Sequence, residues 1–491
     1  MMRKTFNFFG YLALTLAFLN CSKDSYQLPE DLIVHDFVWK GLNAYYLYQN
    51  DIGNLSDTRF SSDQELNTFL SSYPNYNELF NSLLIPDDIK STLIEDHATI
   101  TEPQLRSSFT NGLEFTVFKE QDSDTLLVTA LDVLPLSYAA TQNITRGDYF
   151  FAIVNTTKDT IALRNDNFED LLINYSQDTL KLVKANYNGI DVTETNEVIA
   201  LVKKNYTHPA IHLQKVIANG TNTIGYLVYN NDFSTNYINN LNTAFSDFKN
   251  QAVNQLILDL RYNIGGGSFA ENIAQLSSMI TGQFPEETII KEEWNAKAQT
   301  WFLENQPDSL QTKFPTLLNE TTPIESLNLT DVYIILNGAN FTGSSAIELL
   351  INSLKAHINV HVIGNQTAGN NTGAITLYDA IDYDFEGKNE THTVAIQPLV
   401  LRFLNDNNET YQNGFTPDID LCLQEDALNL GVLGEDSDPI LNQVLSYIFT
   451  GNSVSNNNCN PNNLEYLYHS ISSQRETDNG VFIKQDLPNT N

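Results

Sequence analysis

Between residues 205 and 450 the chain alternates short apolar runs with amphipathic segments. No other feature constrains its fold as much. Ile224-Gly225-Tyr226-Leu227-Val228-Tyr229 has the length and composition of a strand, and the segment after it carries Ile238, Leu241, Phe245 and Phe248 on one helical face. Leu256-Ile257-Leu258-Asp259-Leu260 ends in a glycine-rich turn. Val332-Tyr333-Ile334-Ile335-Leu336 runs toward a helix carrying Ile347, Leu350, Ile351 and Leu354, and residues 360–363 form a further short strand. Apolar period switching between strand and helix in this way predicts parallel strands joined by crossover helices. The expected architecture of 205–450 is an α/β core with a mixed or parallel sheet.

Two other textures precede it. Over residues 31–50, Val34, Phe37, Val38, Leu42 and Tyr45 recur at helical spacing, and a second helix is expected near Ser62, with Glu65 completing a capping box. Residues 25–105 therefore form a small helical region. From Gly112 the pattern turns to strands: residues 113–118, 125–128 and a run ending at Asn155. A tail from 451 to 491, rich in Asn and Ser, is expected to be polar and loose.

The first residues carry an export signature. Arg3 and Lys4 precede an apolar run from Phe6 to Leu19, too short for a membrane span, and Cys21 follows directly. Residues 1–21 are expected to be a lipoprotein signal peptide, with Cys21 lipidated and the mature chain anchored in the cell envelope. Phe18 and Asn20 depart from the usual residues before such a cysteine, and plain secretion is the alternative. Export leaves Cys422 and Cys459 as one candidate disulfide in an oxidising compartment. The net charge of −34 argues against nucleic acid, whose phosphates need clustered Lys and Arg, and fits a solvated acidic surface.

Two strand-to-helix junctions carry the candidate chemistry. Asp259-Leu260-Arg261-Tyr262-Asn263-Ile264-Gly265-Gly266-Gly267 places glycines after a buried strand, where backbone N–H groups can approach a developing oxyanion. Thr342-Gly343-Ser344-Ser345-Ala346-Ile347-Glu348 places serines at a helix start, where free N–H groups and the helix dipole favour negative charge. Taken alone, Ser344 or Ser345 could simply cap that helix.

Taken together, the two junctions resemble the C-terminal processing, or tail-specific, serine peptidases, especially lipoprotein members from Bacteroidetes. Ile363-Gly364-Asn365-Gln366-Thr367-Ala368-Gly369 and Asn413-Gly414-Phe415-Thr416-Pro417-Asp418 extend the match. The resemblance implies a ClpP/crotonase-like α/β peptidase core over 205–450, a PDZ-like β-rich insert over 110–200 and a small N-terminal helical region. It implies Ser345 as nucleophile and an oxyanion hole from Ala346 and from Gly265 or Gly266. Gly112, Leu113 and Phe115 match the PDZ loop that captures a peptide C-terminus, and the peptide would add as a strand beside them. Thr156 stands where the PDZ pattern has Gly, and a β-domain without a ligand is the alternative. The implied partners are peptides or unfolded proteins and, through the anchor, a membrane. No cofactor or metal is implied, and the oligomeric state is not legible.

One departure is chemical. The family places its general base, a Lys, where this chain has Asn370, and Ile347 replaces the second serine of the nucleophile motif. An amide cannot take the serine proton. Lys355, Lys388, His357, His361 and His392 are the basic groups nearest in sequence. Lys355 and His357 lie too far along the helix that Ser345 begins, at about 1.5 Å per residue. Three readings follow: a working peptidase with a substitute base, a pseudopeptidase that binds without cutting, and a surface glycan- or nutrient-binding lipoprotein.

Overall fold

The computed structural model describes residues 28–99, 106–120, 124–188, 191–263, 265, 268–336, 344–417, 425–451, 464–473 and 480–483. The expected signal peptide, Cys21, Cys422, Cys459 and Gly266 lie outside the described residues.

The α/β core follows the alternation in the sequence. A five-stranded sheet runs in the order Leu213–Asn219, Asn222–Val228, Gln255–Asp259, Asp331–Ile335, Asn359–Ile363. Its first pair is antiparallel and the others are parallel. Alternate side chains point to opposite faces. Leu256, Leu258, Val332 and Ile334 join a large core with the helices Thr235–Asn250, Ala270–Ile280 and Ser345–Lys355. Ile257, Tyr333 and Ile335 pack on the helix Pro439–Thr450 from the other side. A second five-stranded sheet, ordered Gln311–Lys313, Thr288–Trp294, Leu399–Leu404, Thr372–Ala374, Val481–Phe482, supplies Ile289, Ile290, Leu401 and Phe403 to the large core.

The N-terminal helices are built into that same core. Ile33–Tyr45 buries Phe37, Val38, Leu42 and Tyr45 there, as its spacing predicts. Asp63–Leu70 starts where expected, with the Ser62 hydroxyl accepting the Glu65 N–H at 3.2 Å. The Glu65 carboxylate reaches back to the N–H of Ser61, not to that of the capping residue. The strand Thr92–Ile94 pairs with Ala395–Gln397 of the core. The helical region is therefore not a free-standing unit.

The β-rich insert forms a sheet with its own apolar core, in the order Leu464–His469, Leu113–Glu120, Leu127–Val133, Tyr149–Val154, Thr179–Tyr187, Val192–Val202. Its outermost strand comes from the tail. The expectation of a loose tail is thus corrected for the described residues. Leu464, Tyr466, Leu467 and Tyr468 supply apolar surface, and Ile471 is buried. Further on, Val481–Phe482 completes the second core sheet beside Thr372–Ala374. Apolar residues scattered in a polar stretch lack the length to stand out, yet each has a sheet edge to fill.

A buried ion cluster ties insert to core. Arg261, with no exposed surface, meets Asp259 at 2.7 Å, Asp438 at 2.9 Å and Glu425 at 3.2 Å. Arg146 of the insert pairs with the same Glu425. The Tyr262 hydroxyl donates to Glu425 at 2.8 Å.

Candidate active site

Ser345 opens the helix Ser345–Lys355 and is 1% exposed. The two serines divide the work that the sequence left open. Ser344 is the cap, its hydroxyl accepting the Ile347 N–H at 3.3 Å. The Ser345 hydroxyl accepts a hydrogen bond at 3.0 Å from the Nζ of Lys90, 255 residues earlier in the chain.

Lys90 is not one of the basic groups near Ser345 in sequence. A local network holds it in place. Asp88 accepts the N–H groups of Lys90 and Ser91 at 3.0 and 2.9 Å, and the Ser91 hydroxyl donates to the other Asp88 oxygen at 2.6 Å. That hydroxyl in turn accepts the Leu399 N–H at 3.0 Å. The strand Thr92–Ile94 follows at once, in register with the core. The buried Tyr46 hydroxyl accepts the Ile85 N–H at 3.1 Å and braces the turn from the other side. The lysine thus stands on a backbone fixed on both flanks. Its only sequence signal is a local Asp-x-Lys-Ser turn, Asp88 to Ser91, with nothing to indicate which distant residue it faces.

The other basic residues are engaged elsewhere. His361 stacks on Tyr333 at 4.5 Å between centroids and meets Asp331 at 3.3 Å. His357 contacts the Thr288 carbonyl at 3.1 Å. Lys355 lies over the Phe415 ring, Lys388 pairs with Glu390 at 3.1 Å, and His392 pairs with Asp379 at 3.0 Å.

Asn370 lies in the loop between the strands Asn359–Ile363 and Thr372–Ala374. Glu348, one turn into the serine helix, accepts the N–H groups of Gly369 and Asn370, both at 2.6 Å. Burial pushes the Glu348 carboxyl up, against the opposing pull of the Thr367 hydroxyl, the two amides and the Lys90 charge. The loop that the resemblance matches to the base is therefore clamped to the helix that Ser345 begins, although Asn370 carries an amide.

The oxyanion donors divide. Ala346 lies in the first helical turn, where N–H groups have no acceptor four residues back. The Gly265 N–H donates to Asn263 Oδ1 at 3.0 Å, so it is turned into its own loop. The φ of +69° at Gly265 is a conformation that favours glycine, which accounts for the residue without making its N–H a donor to substrate.

The residues matched to peptide capture also differ from expectation. The Gly112 N–H donates to Thr110 Oγ1 at 3.1 Å and the Leu113 N–H to Asn111 Oδ1 at 2.9 Å. The Phe115 N–H donates to the Ser470 hydroxyl at 2.8 Å. Each of the three N–H groups already has an acceptor within the chain.

Comparison with known proteins places the chain in a family. Residues 34–96 match the Peptidase S41 N-terminal domain, and residues 223–421 match Peptidase family S41. The first match contains Lys90 and the second contains Ser345. A protein from Bacteroides fragilis described as an S41 protease is 21% identical with a TM-score of 0.63, over 87% of this chain and 98% of its own. The photosystem II D1 C-terminal processing protease is 16% identical with a TM-score of 0.45, over 84% of this chain and 100% of its own. No curated protein matches. The two family models together cover more than half of the chain, with nucleophile helix and N-terminal region in their places: the chain belongs to peptidase family S41.

Proposed function

We propose that this chain is a working serine endopeptidase of the cell envelope, lipid-anchored through Cys21, that cuts unfolded or tail-exposed proteins with Ser345 as nucleophile and Lys90 as general base. The observation that carries the reading is the 3.0 Å contact between Lys90 Nζ and Ser345 Oγ. In its neutral form the Lys90 amine takes the Ser345 proton as Oγ attacks the scissile carbonyl carbon. The Ala346 N–H and the positive helix end face the oxyanion that results. The Lys90 ammonium then protonates the departing amine, the peptide C–N bond breaks, and an acyl-serine remains. Water, deprotonated by the same amine, releases the acid and restores Ser345. Asn370 has no proton to move in this sequence.

A second reading, a pseudopeptidase that binds without cutting, is favoured by Asn370 and Ile347 at two positions of the family pattern. Cleavage of a permanently unfolded protein by the full-length chain separates the two. The proposal predicts proteolysis by the wild type that is lost in Ser345→Ala. Equal, background-level cleavage by both would establish the binding-only reading.

A further inference from the structure

The strand Leu464–His469 runs antiparallel to Leu113–Glu120 on the edge opposite Leu127–Val133. A peptide that adds to a sheet by strand augmentation takes such an edge. The direction also fits. Leu464 pairs with Glu120 and His469 with Thr116, so the segment ends at the glycine loop that starts the strand. Tyr468 packs against Phe115, and its carbonyl accepts the Thr116 hydroxyl at 2.8 Å.

Ser470 sits at the end of this segment, against the first residues of the strand. Its hydroxyl accepts the Phe115 N–H at 2.8 Å and donates to Glu114 Oε2 at 2.5 Å. Glu114 is buried. A carboxylate placed there would face the Glu114 carboxyl, which already interacts with the nearby Arg106 charge, and like charges at that range repel. A hydroxyl satisfies both neighbours, because it accepts from one and donates to the other.

We propose that the edge of Leu113–Glu120 is a peptide-docking site that the chain keeps filled with its own residues 464–470, and that Glu114 selects an internal hydroxyl-bearing residue there in place of a free C-terminus. An incoming extended polypeptide competes with the resident strand, matching its aromatic side chains and placing a Ser or Thr against Glu114. The proposal rests on the peptide-binding expectation for Gly112, Leu113 and Phe115, not on the cutting chemistry proposed above.

The test uses full-length chains carrying Ser345→Ala, so that binding is read without cleavage. The probe is a fluorescent peptide of the sequence Leu-Glu-Tyr-Leu-Tyr-His-Ser with an amidated end. Ser470→Ala in the protein weakens the resident strand, and the probe is expected to bind that variant at least five-fold more tightly. The same peptide ending at His with a free carboxylate is expected to bind at least five-fold more weakly than the probe. Hydrogen exchange on the Ser345→Ala chain with Ser470 intact supplies a check that does not depend on the second variant folding: saturating probe should raise exchange across 464–470. Equal affinity for both proteins, tighter binding of the carboxylate peptide, or unchanged protection of 464–470 under saturating probe would each overturn the proposal. Loss of peptidase activity in the wild type would leave these binding results untouched.

Discussion

At the scale of single residues, the account turns on where polar groups are buried and what they meet. Ser344 takes the capping role, and the Ser345 hydroxyl meets Lys90 instead, the contact on which the proposed proton transfer rests. Ser344→Ala should cost about 1 kcal/mol of stability, as cap removal does. Thermal unfolding measures that cost, and Ser345-dependent cleavage should persist. Glu292 is a different case. Burial pushes its carboxyl up to about 8, while the Trp294 indole N–H donates to it at 3.0 Å. A raised native pKa favours folding most below the ordinary carboxylate range and loses that contribution as pH climbs toward 8. Glu292→Gln keeps an acceptor for Trp294 and removes the ionisation. The variant should therefore gain melting temperature relative to wild type as pH rises from 5 to 9. A constant difference across that range would contradict the assignment.

At the scale of elements, much was legible from pattern. The four strands and two helices predicted within 205–450 lie within a few residues of their expected places because each has enough apolar residues at one period to declare itself, while the second sheet has no such pattern. The nucleophile helix was readable for the same reason. Lys90 was not, since a single lysine before a three-residue strand has no period, and its role depends on a pairing with Ala395–Gln397 that no local pattern encodes. The tail strands are illegible on similar grounds: Val481–Phe482 is two residues long and exists because Thr372–Ala374 offers an edge. Gly265 was legible as a glycine turn but not in the direction of its N–H, which the Asn263 side chain sets. Asn295 shows how such long-range ties are made. Its amide donates to the Ala44 and Tyr46 carbonyls at 2.9 and 3.2 Å, and its oxygen caps the helix Ala296–Asn305 by accepting the Ala298 N–H at 2.9 Å. Asn295→Ala takes the amide donor from the Ala44 carbonyl, while the Tyr46 carbonyl keeps the Gln49 N–H, and removes a cap, so a loss of about 2–4 kcal/mol is expected in denaturant unfolding. A loss under 1 kcal/mol would show that the N-terminal helix is held by apolar packing alone.

At the scale of the whole molecule, the acid cluster around Arg261 holds the β-rich insert to the core. Burial alone would push Glu425 up, but Arg146 and Arg261 outweigh it and hold the carboxyl at about 2. A depressed carboxyl stabilises fully above its ordinary range, and that stability drains away as pH falls from about 4.3 toward that lower value. Unfolding between pH 5 and 2 should therefore steepen in the wild type and flatten in Glu425→Gln. Arg261→Met strands Asp259 and Asp438, both without exposed surface, and should cost about 3–5 kcal/mol. The proposed catalytic pair is also a property of the whole molecule, since Ser345 and Lys90 come from regions 255 residues apart. The most direct measurement is kcat/KM on an unfolded protein for the full-length wild type, Lys90→Ala, and Lys90→Ala combined with Asn370→Lys. The account predicts a loss of about 10²–10⁴-fold in Lys90→Ala, the typical worth of a general base, with partial recovery when a lysine is returned at position 370. Undiminished cleavage by Lys90→Ala, still lost on Ser345→Ala, would contradict it and assign the proton to another group.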